Sequence, residues 1–136
     1  MEPLDKELDK GGDLLEGDKL IAVLSYITFL GFIIALILNA NKTGDERRFN
    51  AYHLRQGLGL VVLEIILYTG FSIIETVLLA ISMSIFYFAV SGLQIAISIV
   101  VLIYMFMGVM NALNGTRKPL PFIGKYAIKI LKNAFN

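Results

Sequence analysis

The stretch LIAVLSYITFLGFIIALIL, residues Leu20–Leu38, contains no charged side chain. A helix needs roughly 20 residues to cross the hydrocarbon core of a bilayer. This stretch has 19 residues and is therefore close to the required length. The rest of the chain has the same character, because 57% of its 136 residues are hydrophobic and all of its charges except Glu64 and Glu75 lie in short polar regions. A soluble domain distributes charge over all of its surface elements. The sequence therefore predicts an integral membrane protein.

A second apolar region extends from Leu58 to Leu113 and is long enough for two further spans. Small and hydroxyl residues cluster between Ala80 and Ser84, where we expect a tight turn between two helices. A transmembrane β-barrel is not expected, because these segments are continuously apolar and do not alternate. The predicted fold is all-α, with three transmembrane helices and a C-terminal amphipathic helix in the membrane interface.

The length of the chain allows one membrane domain, 1–136. Its predicted parts are an acidic polar tail over 1–17, transmembrane helices over 20–40, 54–80 and 84–113, a basic cytoplasmic loop over 41–53, a Gly/Pro turn over 114–121 and an amphipathic helix over 122–135. With three spans, Lys and Arg are more numerous on the side of the loop and the C-terminus. The positive-inside rule then predicts an external N-terminus and a cytoplasmic C-terminus in a bacterial inner membrane. The acidic tail has no apolar core, so neither a secretory signal nor a transit peptide is expected.

The segment after Pro121 has apolar residues at helical spacing and lysines on the opposite face. This pattern predicts a helix that lies in the membrane interface with its lysines toward anionic headgroups. The alternative is an amphipathic helix that packs on a partner or on the first loop of the chain itself. The residues expected to contact lipid headgroups are Arg47, Arg48, Arg55, Lys125, Lys129 and Lys132.

The second predicted span carries an aligned set of polar residues. His53, Glu64 and Glu75 recur every 11 residues, a spacing that drifts by only about 20° around a helix. Carboxylates inside a membrane are costly, so they are expected to face protein or water. Polar residues of the third span occur at matching helical spacing. The predicted polar seam, or partner contact, consists of His53, Gln56, Glu64, Glu75, Ser91, Gln94 and Ser98.

Two functions fit such a seam. It could fix helix register and bind a partner, as in a structural or accessory subunit of a larger membrane complex. Alternatively, it could conduct protons, ions or a peptide through an oligomer of this chain. The expected partners are the lipid bilayer and either other membrane subunits or further copies of the chain.

Catalysis has little support in the sequence. One histidine and no cysteine cannot form a typical zinc site, and no Gly-rich phosphate loop or nucleophile elbow is present. We therefore expect no enzyme activity, no cofactor and no metal. The net charge of +1 also argues against a nucleic-acid partner, which requires a basic surface.

Two short motifs bear a family resemblance that covers roughly Asp18 to Leu131. His53, Gln56 and Gly57 open the second span, and a Gly, Leu-Pro, Ile-Gly pattern follows the third at Gly115, Leu120, Pro121, Ile123 and Gly124. In these motifs the chain resembles small bacterial membrane proteins related to the chloroplast inner-envelope protein import component. The resemblance implies a helical membrane core, and most bacterial members of that family have no assigned activity. The plastid members differ by a transit peptide and a fourth span.

Overall fold

The computed structural model describes residues 16–135, which contain helices and no strand. The five helices are α1 (Glu16–Ile27), α2 (Phe29–Ala40), α3 (Gly44–Ala80), α4 (Ser84–Leu113) and α5 (Ile123–Ile130). The predicted all-α class is confirmed. Within the described residues, α3 and α4 are long and apolar enough to cross a membrane, judged by length and composition. The structure thus has two such helices instead of the predicted three.

The single span predicted over 20–40 is wrong, because the chain reverses direction at Thr28. The backbone of Thr28 is extended, and its hydroxyl accepts a hydrogen bond from the Gly31 N–H at 2.9 Å, so Thr28 caps the start of α2. An ion pair of 2.7 Å joins Lys42 Nζ, after α2, to Asp18 Oδ1 in the first turn of α1. In one continuous helix those two residues would lie about 36 Å apart.

We call α1 and α2 the short hairpin. Each helix has 12 residues and is about 18 Å long, which is less than the about 30 Å of a bilayer core. Ile21 of α1 and Phe32 and Ala35 of α2 pack with Leu54 of α3 in one apolar cluster. Because the short hairpin returns the chain to its starting side, Asp18 and Phe135 lie at the same end of the molecule, which differs from the predicted placement of the two termini on opposite sides. Residues 1–15, most of the predicted tail, lie outside the described residues.

Helices α3 and α4 form a second, long hairpin. They are joined by a turn over 81–83, where Ser82 has a left-handed φ of 59°. The turn lies in the region where small and hydroxyl residues predicted one. Most of the loop predicted over 41–53 belongs to α3 itself, which begins at Gly44. Asp45 and Glu46 favour this early start, because acidic side chains in a first turn interact well with the helix dipole.

The buried core lies at one end of the long hairpin. Ala22, Tyr26, Phe49, Ala112 and Leu120 pack there in a single cluster. We call this end the base; it comprises the short hairpin, residues 41–60, residues 104–113 of α4 and residues 114–135. We call the remainder of the long hairpin, residues 61–103, the stem. No residue of the stem is buried, and most of its apolar side chains are exposed.

Two glycines allow α1 to approach the long hairpin closely. Gly57 of α3 lies against the backbone carbonyl of Ser25, and Gly108 of α4 lies against the ring of Tyr26. A Cβ atom at either glycine would overlap these neighbours. The His-x-x-Gln-Gly run at the start of the predicted second span therefore lies where α1 crosses α3.

The C-terminal helix is shorter than the predicted 122–135. Helix α5 packs on α3, with Ala127 placed where a Cβ at Gly59 would meet it. Phe122, Tyr126 and Ile130 remain exposed. The apolar face thus has two halves, one covered by the chain itself and one open.

Candidate functional site

The base holds a set of buried polar side chains: Asp18, Ser25, Asn39, Asn50, His53, Arg55 and Gln56. Burying a polar group is costly unless it is hydrogen-bonded. The hydrogen-bond partners of these side chains therefore indicate what the cluster does. A single turn of α3 supplies the most connected members, His53, Arg55 and Gln56.

His53 is fully buried and uses both ring nitrogens. Its Nε2 lies 3.1 Å from the Thr116 carbonyl oxygen, which can only accept, so Nε2 carries the proton and donates it. Its Nδ1 accepts from the Tyr26 hydroxyl at 2.9 Å. This pattern assigns the neutral Nε2–H tautomer, a form that complete burial also favours. His53 thereby joins α1, α3 and the segment after α4.

The amide of Gln56 binds the backbone of the segment that follows α4. Its Oε1 accepts from the Leu120 N–H at 3.0 Å, and its Nε2 donates to the Lys118 carbonyl at 3.3 Å. Pro119 and Pro121 prevent this segment from forming a helix, so its backbone groups need partners from elsewhere. Gln56 supplies one acceptor and one donor.

Arg55 fixes the end of the chain. Its side chain is nearly buried, and its Nε donates to the Ala134 carbonyl at 2.9 Å. Asn39 of α2 donates to the neighbouring Phe135 carbonyl at 3.4 Å. The sequence suggested that Arg55 contacts lipid headgroups, whereas its Nε binds the chain itself. We call His53, Arg55 and Gln56 the C-terminal clamp, because all three hold backbone carbonyls between Thr116 and Ala134.

The other residues expected to contact headgroups also lie at the base. Arg48 is exposed and lies 3.7 Å from Asp45, and Arg47 is half-buried in the first turns of α3. Lys125, Lys129 and Lys132 are exposed on or just after α5.

The ion pair between Asp18 and Lys42 was not foreseen from the sequence. The Asp18 side chain is fully buried, and Lys42 also lies 3.5 Å from Glu46. The hydrogen bond to Asp18 raises the pKa of Lys42 above its ordinary value. Asp18 directly follows the predicted acidic tail, and only the reversal at Thr28 brings it to Lys42.

The stem contains the remaining residues of the predicted seam, in two places. Ser91 Oγ donates to Glu75 Oε1 at 2.7 Å. Glu64, Gln94 and Ser98 line one small cavity of about 50 Å³ between α3 and α4. The structure therefore brings together the predicted residues of α3 and α4 within the stem.

His53 and Gln56 are not part of the stem sites. They belong to the base, and both ring nitrogens of His53 are engaged there. Tyr26 and His53 are 5% and 0% exposed, so their hydrogen bond is closed to a substrate. Among the described residues, no group of three or more His, Cys, Asp or Glu side chains is placed to hold a metal ion.

Comparison with known proteins gives no relative. No family model, curated protein or solved structure matches the chain.

Proposed function

We propose that this chain is an accessory subunit, without catalytic activity, that binds another membrane protein through its stem. The observation that carries the proposal is the exposure of Glu64 on a stem whose other outward side chains are largely apolar. Such a carboxyl group in hydrocarbon is costly and is normally covered by protein or water.

The two carboxyl groups of the stem differ in a way that supports this proposal. Glu75 is half-buried and has a partner in Ser91. Glu64 is exposed and shares its cavity with Gln94 and Ser98. A transmembrane helix with a hydrogen-bond donor would complete the site at Glu64, at a contribution of about 1 to 2 kcal/mol.

The base supports an assembly role over a relay. A proton path along the aligned polar residues would begin at His53, but that ring is enclosed and holds the Thr116 carbonyl. The C-terminal clamp binds backbone carbonyls of the chain itself, so its three residues have a structural role.

The charge distribution supports a membrane position with the base on the cytoplasmic side, and the resemblance to small bacterial membrane proteins suggests a bacterial cytoplasmic membrane. Every Lys and Arg of the described chain belongs to the base, and none occurs between Gln56 and Thr116. The positive-inside rule favours the cytoplasm for such an end. In this arrangement Glu16 and Phe135 are on the same side of the membrane.

The test is affinity purification of the tagged full chain in mild detergent, followed by measurement of mass and composition. We expect a second membrane protein at fixed stoichiometry. Glu64→Leu should release it, whereas the matched control Glu64→Gln, which keeps the size and the hydrogen-bonding atoms, should retain it.

Two results would contradict the proposal. One is a complex that contains only copies of this chain. The other is a proton flux in proteoliposomes that is present in the wild type and lost in an equally assembled Glu64→Gln protein. Either result would favour a transport element.

A further inference from the structure

An open apolar groove of about 420 Å³ lies between α3 and α5. Leu58, Val62 and Ile66 form one wall, and Phe122, Tyr126 and Ile130 form the other. The walls expose almost no polar atoms. The volume is within the range of sites that hold a small molecule.

Two basic side chains lie on the helix that forms one wall of the groove. Lys125 and Lys129 are exposed, one turn apart, and helical spacing places them next to the Tyr126 side of α5. An apolar cavity beside two cations matches the chemistry of one molecule class, in which an anionic group is attached to a hydrocarbon chain.

We propose that this groove binds an acyl chain of an anionic phospholipid whose headgroup pairs with Lys125 and Lys129. This inference rests on the proposed position in a membrane and adds a specific ligand site to it. An extended peptide is a poorer occupant, since its backbone N–H and C=O groups would find almost no partners on these walls. An acyl chain needs none.

The backbone at the entrance supports a dedicated site. Phe122 has a φ of 58° and a ψ of −59°, which is the region of the strained classic γ-turn. The Ile123 N–H donates to the Pro121 carbonyl across it, and the Phe122 side chain is 80% exposed. The chain thus adopts an uncommon conformation that directs a large aromatic side chain outward at the edge of the groove.

The sequence contains no tryptophan, so a single substitution supplies a fluorescent reporter. Tyr126→Trp places it in the groove. Phe88→Trp places a reference reporter on the stem, where Phe88 is 69% exposed and outside the groove. Each full-length protein is reconstituted in phosphatidylcholine that contains a small fraction of phosphatidylglycerol, with bromine on the acyl chains of either lipid.

We expect brominated phosphatidylglycerol to quench the Tyr126→Trp protein more than its mole fraction predicts, and to quench the Phe88→Trp protein in proportion to it. Changing Lys125 and Lys129 to Gln should lower the preference by on the order of fivefold per lysine. Val62→Phe, which fills the groove and leaves both lysines in place, should reduce quenching by both lipids at Tyr126→Trp. Its control, Ile95→Phe on the stem, should not.

Quenching of the Tyr126→Trp protein by each lipid in proportion to its mole fraction would overturn the site, as would a preference for phosphatidylglycerol that survives loss of both lysines. Absence of quenching at Phe88→Trp by either lipid would have a different meaning. It would show that the stem is not in the bilayer, and would overturn the proposed membrane position together with this site.

Discussion

At the scale of single residues, Gln56 shows how a polar side chain can be required in a largely apolar helix. Its amide is fully buried and satisfies the Leu120 N–H and the Lys118 carbonyl. Neither group has a helical partner, because Pro119 and Pro121 interrupt regular structure. The polarity at the entrance to α3 is therefore explained by the irregular segment that packs on it.

We predict that Gln56→Leu destabilises the protein by about 1 to 3 kcal/mol, because it leaves the buried Leu120 N–H without its partner. The Lys118 carbonyl keeps a second donor, the side-chain amide of Asn111. Thermal unfolding in detergent, followed by circular dichroism, measures the effect. Gln94→Leu is the matched control, since Gln94 is half-buried in the stem and does not contact the base. Equal unfolding temperatures for Gln56→Leu and the control would show that the segment does not depend on Gln56.

Gly57 tests the close crossing of α1 and α3. A Cβ there would overlap the Ser25 carbonyl, whereas a Cβ at Gly92 meets no atom within 4 Å. Gly57→Ala should therefore destabilise the protein by about 1 to 3 kcal/mol, the usual cost of overpacking. Gly92→Ala should be neutral, or stabilising by up to about 1 kcal/mol through helix propensity. Thermal unfolding in detergent measures the stability of both variants. An unchanged unfolding temperature for Gly57→Ala would mean that α1 and α3 are further apart than this contact indicates.

At the scale of elements, the short hairpin places Glu16 and Asn41 at the same end of the molecule, which in the proposed membrane position is one side of the bilayer. The chain has no cysteine, so single cysteines can be introduced and labelled with an impermeant reagent. We expect Glu16→Cys, Asn41→Cys and Lys132→Cys to react from one side of a sealed membrane and Met83→Cys from the other. A single first span would instead place Glu16→Cys with Met83→Cys, and that outcome would refute the hairpin.

The sequence predicted those elements whose signals are local. The cluster of small residues around Ser82 marked the turn of the long hairpin, and continuous apolar character marked the helices on either side. Thr28 gave a weaker signal, because a threonine within an apolar run is compatible with an unbroken helix. The reversal there depends on contacts distant in sequence, including the pairing of Lys42 with Asp18.

For the candidate site too, the sequence predicted one part of the arrangement and missed another. Helical spacing aligned Glu64 and Glu75 with the polar residues of α4, because spacing on a regular helix fixes which side chains share a face. It also aligned His53 with them, although His53 belongs to the base. The partners of His53 and Gln56 are largely backbone atoms of residues 116–120. Every residue type carries such atoms, so a sequence pattern cannot identify them.

At the scale of the whole molecule, the two ends differ in width. The stem consists of α3 and α4 alone, whereas the base adds the short hairpin and α5. The outer face of α2 is apolar, with Leu30 67% and Ile37 60% exposed. Because α2 is too short to cross a bilayer, covering that face with lipid requires the short hairpin to enter the leaflet on the base side. That leaflet then accommodates a wider cross-section of protein than the opposite one.

A protein that is wider at its base than at its stem should favour a membrane in which the base-side leaflet is expanded, since insertion into one leaflet is sensitive to curvature. In small vesicles the outer leaflet is the expanded one. We therefore predict that the fraction of molecules with the base outward increases as vesicle diameter decreases. Labelling of Lys132→Cys by an impermeant reagent measures this fraction in vesicles of defined size.

Replacing both Ile33 and Ile37 by Gln makes the outer face of α2 polar and should abolish the dependence on vesicle size, because the short hairpin then withdraws from the lipid. A base-outward fraction that is the same at every diameter in the wild type would show that the short hairpin does not widen the base within the leaflet.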